Sequence, residues 1–264
     1  MYRPLLLVGV VTVGVLLVQG IANAQGERPD EIIVRLKALA YRAYYGVEEP
    51  VNLARALDLY RQAAARGDAE AQYIYGGMLY QGQGTDPDKR GAFKWLMQAA
   101  EGGKTSPESL AIIGTMYLRG VTVPQNFLEA KRWLAQAAEQ GSATAQVDLA
   151  YMYYHGLGGE RDYARALALY EQAAFQGNLL AQANVGLMYA TGTGTDTDKA
   201  RGYAWYSLAA SRGNTLAAIN RNDLMVNMSW EELNQAQAIS LDLYRRVEKI
   251  KQTKLIAPQY KGQH

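Results

Sequence analysis

Apolar and polar positions in this chain repeat on a long beat. Ala-Ala pairs fall at Ala63-Ala64, Ala99-Ala100, Ala137-Ala138, Ala173-Ala174 and Ala209-Ala210, at steps of 36, 38, 36 and 36 residues. Met78, Met116, Met152 and Met188 recur in their own register, with Leu79, Tyr117, Tyr153 and Tyr189 beside them. Apolar residues held at a constant register read as core. A beat of this length marks stacked supersecondary units, each unable to bury its apolar face alone.

Polar positions set the element boundaries. Asn52, Asp88, Asn126, Asp162 and Asp198 share one register. Asn and Asp suit a helix N-cap because the side-chain oxygen accepts an otherwise unpaired backbone N–H. Seven residues after each cap stands a large apolar residue: Leu59, Trp95, Trp133, Leu169 or Trp205. Two helical turns in, that side chain points back at the neighbouring helix. Ala56, Ala92, Ala130, Ala166 and Gly202 precede it by three and allow close approach. Gly67, Gly103, Gly141, Gly177 and Gly213 follow the alanine pairs, and Gly46, Gly82, Gly120, Gly156 and Gly192 form a second series. Glycine just past a helix end supplies the left-handed conformation that stops it. Each unit is therefore predicted as helix, glycine turn, helix, glycine turn, with 70–81 and 88–101 as one such pair. The two extra residues of the longer step fall near Gly102 to Pro107, a loop by composition.

On this reading about five repeats occupy 35–67, 71–103, 109–141, 145–177 and 181–213, within a solenoid over 28–252. Asp30 to Tyr45 forms the first helix of the first unit. A helix over 215–226 lacks the following glycine turn, and Ser229-Trp230-Glu231-Glu232 is a capping box opening a last helix to about Lys251. Together these make capping helices over 215–251. Residues 253–264 are expected to be a disordered tail.

The pattern Leu-Gly-x-x-Tyr-x-x-Gly, then a cap, then Ala-x-x-Trp-x-x-x-Ala-Ala-x-x-Gly, resembles the Sel1-like repeat. Its best matches are Gly114-Thr115-Met116-Tyr117-Leu118-Arg119-Gly120 with Trp133, and Gly186-Leu187-Met188-Tyr189 with Trp205. Tetratricopeptide repeats are relatives of shorter period. The resemblance implies an all-α fold, a right-handed α-solenoid superhelix of tandem antiparallel helix pairs, whose first helices line a concave surface. It also implies a non-catalytic adaptor in complex assembly or signalling. A cysteine-rich branch of the family is reported to bind β-lactams; this chain has no cysteine, so that activity does not carry over.

The N-terminus adds an address. Met1-Tyr2-Arg3 is basic, Leu5 to Val18 is almost wholly apolar, and Ala22-Asn23-Ala24 offers small residues to a signal peptidase. The apolar run is too short to span a bilayer. Residues 1–24 are expected to be a signal peptide cut after Ala24, giving a periplasmic protein with no stable membrane span. The alternatives are secretion or an uncleaved N-terminal anchor.

Charge and candidate chemistry narrow the function. Lys and Arg number 27 against 25 Asp and Glu, a balance that argues against nucleic acid as a partner. With no cysteine, no disulfide framework or thiolate metal site is possible. The only histidines are His155 and His264, so no second ligand at helical spacing supports zinc. Gly82-Gln83-Gly84 and Gly192-Thr193-Gly194 look like phosphate loops but lack the Gly-Lys-Ser/Thr that follows one, and they read as turns. Arg245, Arg246, Lys249 and Lys251 form a basic end on the last helix, which reads as a solvated face. No catalytic, cofactor or metal site is expected.

What remains are positions that vary between units, since packing does not dictate them. They are Ile74, Gly77 and Gln81; Ile112, Thr115 and Arg119; Asp148, Tyr151 and His155; and Asn184, Leu187 and Thr191. Each set is spaced i, i+3, i+7 and so shares one helix face. Stacking is expected to align them as a groove for a protein or peptide partner, with Tyr151 as the anchor. A polysaccharide stacking on the tyrosines, or an enzyme acting on one, is the alternative.

Overall fold

The computed structural model describes residues 28–256. The expected signal peptide and residues 257–264 of the expected tail lie outside them. Within the described residues every regular element is a helix. The chain divides into two compact units after Gln125.

The first unit holds α1 (Pro29–Tyr45), α2 (Leu53–Ala65), α3 (Ala69–Gln81), α4 (Lys89–Glu101) and α5 (Pro107–Arg119). Contacts run from each helix to the next in sequence, the signature of a linear stack. The second unit holds α6 (Phe127–Glu139), α7 (Ala143–His155), α8 (Tyr163–Phe175), α9 (Leu179–Thr191), α10 (Lys199–Ala210), α11 (Thr215–Val226) and α12 (Trp230–Ile256). Here too neighbours in sequence pack in turn, until α12 folds back on α10 and α8.

The predicted caps form. Asn52, Asp88, Asn126, Asp162 and Asp198 each accept a backbone N–H from the first turn of α2, α4, α6, α8 and α10. A second cap series starts α3, α5, α7, α9 and α11: Asp68, Ser106, Ser142, Asn178 and Asn214. Gly46, Gly82, Gly120, Gly156 and Gly192 end α1, α3, α5, α7 and α9 in the left-handed conformation. The two extra residues lie where α4 gives way to α5: residues 102–106 join them, against 140–142 between α6 and α7.

Four details differ from or add to the sequence pattern. Trp133 and Trp205, seven residues after their caps, are buried, but Leu59, Trp95 and Leu169 are only half-buried. The position one further on is buried in every repeat, as Tyr60, Leu96, Leu134, Tyr170 and Tyr206. The last helix does not stop near Lys251 but runs to Ile256. No helix breaker precedes Pro258, and proline pushes the residue before it off helical geometry. Finally, the Gly-x-Gly turns have a packing reason. A Cβ on Gly84 would stand 2.4 Å from the Leu53 carbonyl oxygen, one on Gly158 2.7 Å from that of Phe127, and one on Gly194 2.5 Å from that of Tyr163. Each of these turns is seated against the first residue of a helix in the repeat before it.

Two clusters of buried residues lie within the first unit. One joins α1, α2 and α3 through Leu36, Ala40, Tyr60 and Met78, and the other joins Leu79, Ala92 and Met116. In the second unit one cluster runs from Val147 through Tyr170, Val185 and Trp205 to Val247 of α12. A glutamine fastens successive pairs: the Gln146 amide donates to Ala138 O at 3.4 Å and Gln182 to Ala174 O at 3.0 Å. Gln72 makes the equivalent bond to Ala64 O at 3.3 Å.

Candidate partner-binding site

From the second repeat to the fifth, the first helix is fixed at both ends, by a polar cap and a left-handed glycine. Its buried stripe carries the methionines: Met78, Met116, Met152 and Met188 are at most 4% exposed. The face left over is the one on which the variable positions fall, and the two units treat it differently.

In the first unit most of the expected groove is closed. Ile74 and Ile112 are half-buried and pack against the two core clusters, because an isoleucine at the edge of a core gains more by leaning in than by facing water. Gly77 and Thr115 are buried, Thr115 at 8% exposure. Only Gln81 and Arg119 are exposed. Thr115 and the two isoleucines are therefore part of the packing, not of an open surface.

In the second unit the middle position of each set faces out instead. Tyr151 is 45% exposed and Leu187 39%, with His155 and Thr191 exposed and Asp148 and Asn184 half-buried. The Tyr151 and His155 rings lie 4.3 Å apart, and His155 also meets the Tyr154 ring at 5.0 Å. Burial raises the pKa of the Tyr170 hydroxyl beneath them, and the nearby Asp148 carboxylate raises it further. These groups form an aromatic cluster with one acid. No trio of His, Asp or Glu side chains able to hold a metal ion occurs among the described residues, and no described helix is long and apolar enough to cross a membrane.

Some surface residues escaped the sequence pattern. In the first repeat, at the offsets from Gly46 that Tyr151 and His155 keep from Gly156, stand Tyr41 and Tyr45 of α1. They are 42% and 37% exposed, with ring centroids 4.5 Å apart. Burial and the neighbouring Tyr44, Tyr41 and Tyr73 hydroxyls push the Tyr45 pKa up to about 12. Counting back from the glycine would have found this pair. One turn before each triplet lies a fourth position: Glu70, Glu108, Thr144 and Leu180, then Leu216 on α11. The Glu70 carboxylate is paired with Lys37, which also reaches Asp68 at 3.3 Å. Burial opposes the Lys37 charge, but the two carboxylates outweigh it and raise its pKa.

On the other side of the second unit an open cleft of about 560 Å³ lies among α6, α7 and α8. Its polar lining is largely committed: Gln146 bonds Gln172 at 3.0 Å and Gln176 at 2.7 Å, and Lys131 sits 4.5 Å over the Tyr153 ring.

The sequence model of the Sel1 repeat matches residues 37–68, 69–104, 107–142, 143–178 and 179–214. The chain belongs to the Sel1 repeat family. It is an all-α solenoid of five Sel1 repeats with further helices at its C-terminal end. Solved structures of Sel1 type resemble it over most of its length. One is c5321, a protective antigen present in uropathogenic Escherichia coli strains and displaying an SLR fold. It shares 25% identity with a TM-score of 0.73, covering 88% of this chain and 49% of that one. The chain thus spans about half the length of that antigen. Another is a Sel1 repeat protein from Oxalobacter formigenes, at 26% identity and a TM-score of 0.65, covering 82% of this chain and 87% of that one. Comparison with curated proteins finds no match. Sel1 repeats commonly mediate protein–protein interaction, and the family is generally non-catalytic.

Proposed function

We propose that this Sel1 solenoid is a non-catalytic scaffold that holds a protein partner on the first-helix face of its repeats. The observation that carries the reading is the division of labour on each first helix. The recurring residues are consumed by core and caps, while Gln81, Arg119, Tyr151, His155, Leu187 and Thr191 remain exposed and differ between repeats. A surface that packing does not dictate is where recognition is written, and an exposed aromatic such as Tyr151 is the side chain best able to anchor it. The N-terminal pattern of residues 1–24 supports export and work in the periplasm, in assembly of an envelope complex or in signalling.

Two experiments test this. The tagged full chain is used to capture partners from an envelope extract, beside the variant carrying Tyr151→Ala and Arg119→Ala. Both residues are exposed, so the fold should survive, which circular dichroism checks. Loss of a specific captured protein supports the reading; unchanged capture rejects the face. Glycan-array binding lost with the same variant would instead favour a polysaccharide. Export is tested by N-terminal sequencing of the envelope-located protein: a start at Gln25 supports it, and an intact Met1 rejects cleavage.

A further inference from the structure

The last helix of the second unit fills a seat whose counterpart, one repeat earlier, stands open. The cleft among α6, α7 and α8, of about 560 Å³, is lined in part by Glu139, Gly141, Leu149, Ala168, Leu169 and Gln172. One period of 36 residues on, the same places are held by Phe175, Gly177, Val185, Ala204, Trp205 and Leu208. There α12 lies in the cleft. Its Leu243 and Val247 are buried in one cluster with Val185, Ala204, Trp205 and Leu208. Its Arg246 stands over the Phe175 ring at 4.4 Å. A Cβ on Gly177 would come within 2.8 Å of the Lys251 side chain, whereas one on Gly141 would meet nothing within 4 Å. Burial follows the occupant. Ala204, Trp205 and Leu208 are buried, while Ala168 and Gln172 are exposed and Leu169 is half-buried.

We infer that the open cleft among α6, α7 and α8 seats an amphipathic helix of another protein, as the next repeat seats α12. The repeat builds both clefts from equivalent helices, so a shape that fits one fits the other. The α12 helix also states the chemistry of the occupant. Ile239, Leu243 and Val247 stand every fourth residue and make one apolar stripe, with basic Arg246 beside it. The open cleft offers that stripe Leu149, Ala168 and Leu169. Where α12 lays its arginine on the Phe175 ring, the open cleft has the exposed carboxylate of Glu139, a better partner for a cation. The acid of α12 does not carry over. Glu248 pairs with Arg212, whose counterpart Gln176 bonds Gln146 instead. A second copy is a poor occupant, because lending its α12 would bare as much apolar surface on itself as it covered here. The cleft is separate from the first-helix face, so neither reading depends on the other.

The probe is a fluorescent synthetic peptide with the sequence of residues 232–251 and the change Glu248→Gln, titrated with the full chain. The chain's own α12 keeps its seat, because its tether holds it at an effective concentration in the millimolar range or above. The peptide should therefore bind one to one, in the open cleft. Ala168→Glu in the chain should weaken it about tenfold, by placing a charge under the apolar stripe. Gln172→Leu, which copies Leu208 of the filled seat, should tighten it about threefold. Glu139→Gln should weaken it about two- to threefold and flatten its salt dependence. All three side chains are exposed, and circular dichroism verifies the fold. Absence of binding below about 1 mM overturns the inference, as does binding that ignores Ala168→Glu. Loss of hydrogen-exchange protection in the chain's own α12 on adding peptide also overturns it, by showing displacement instead of a second seat. A concentration-dependent dimer dispersed by Ala168→Glu would overturn it in favour of a second copy. Peptide binding abolished by Tyr151→Ala but not by Ala168→Glu overturns it and leaves the first-helix reading standing.

Discussion

The two units of this solenoid are built from the same repeat, and the first helices α3 and α5 of one use their free face differently from α7 and α9 of the other. On α3 and α5 most of the face is turned into structure: Ile74 and Ile112 pack against core, Thr115 is buried, and Glu70 is held by Lys37. On α7 and α9 the same register carries exposed Tyr151 and Leu187, and the fourth position is Thr144 and Leu180 instead of a glutamate. A repeat fixes where a side chain stands on its helix; the local neighbours decide whether that place is inside or outside.

Matched substitutions can break this comparison. The largest effect is expected at Thr115. Thr115→Asp puts a carboxylate at a buried position, with only the exposed Arg119 one turn on to offset it, and should cost about 3 kcal/mol of stability, read by denaturant unfolding and by hydrogen exchange in α5. Lys37→Ala should come next. It strands Glu70 and Asp68, whose side chains are only 26% and 20% exposed, and should cost about 1–3 kcal/mol, seen as lost protection where α1 meets α3. Leu187→Asp, the register equivalent of Thr115→Asp, should change stability by less than about 0.5 kcal/mol because the side chain already faces water. Equal costs for the Thr115 and Leu187 variants would erase the distinction between the units.

Most of the fold was legible in the sequence because repetition supplies internal controls. Five Asn or Asp residues at one register announce five caps, and the glycine series announces where helices stop. Less legible was which large residue goes inward. Trp95 and Leu96 are adjacent, and no count along one helix says that Leu96 is buried and Trp95 half-buried, since that depends on the angle at which the next helix crosses. The candidate face was legible in register but not in depth. Whether Thr115 or Tyr151 reaches solvent depends on the size of the side chain and on what leans over it, neither of which periodicity reports. The α1 tyrosines and the leucines of α9 and α11 were available to the same counting, carried one unit further back and one turn further up.

The seating of Gly84 on Leu53, Gly158 on Phe127 and Gly194 on Tyr163 bears on how such a chain can change in length. Every seat joins a turn to a residue 31 positions upstream, so the partners belong to consecutive repeats. Loss or gain of one whole period would leave each remaining turn a correct place to rest. A deletion of any other size between a seat and its glycine would spoil that fit. Natural variation in this protein's length should therefore come in quanta, with the recognition surface lengthened or shortened one stripe at a time.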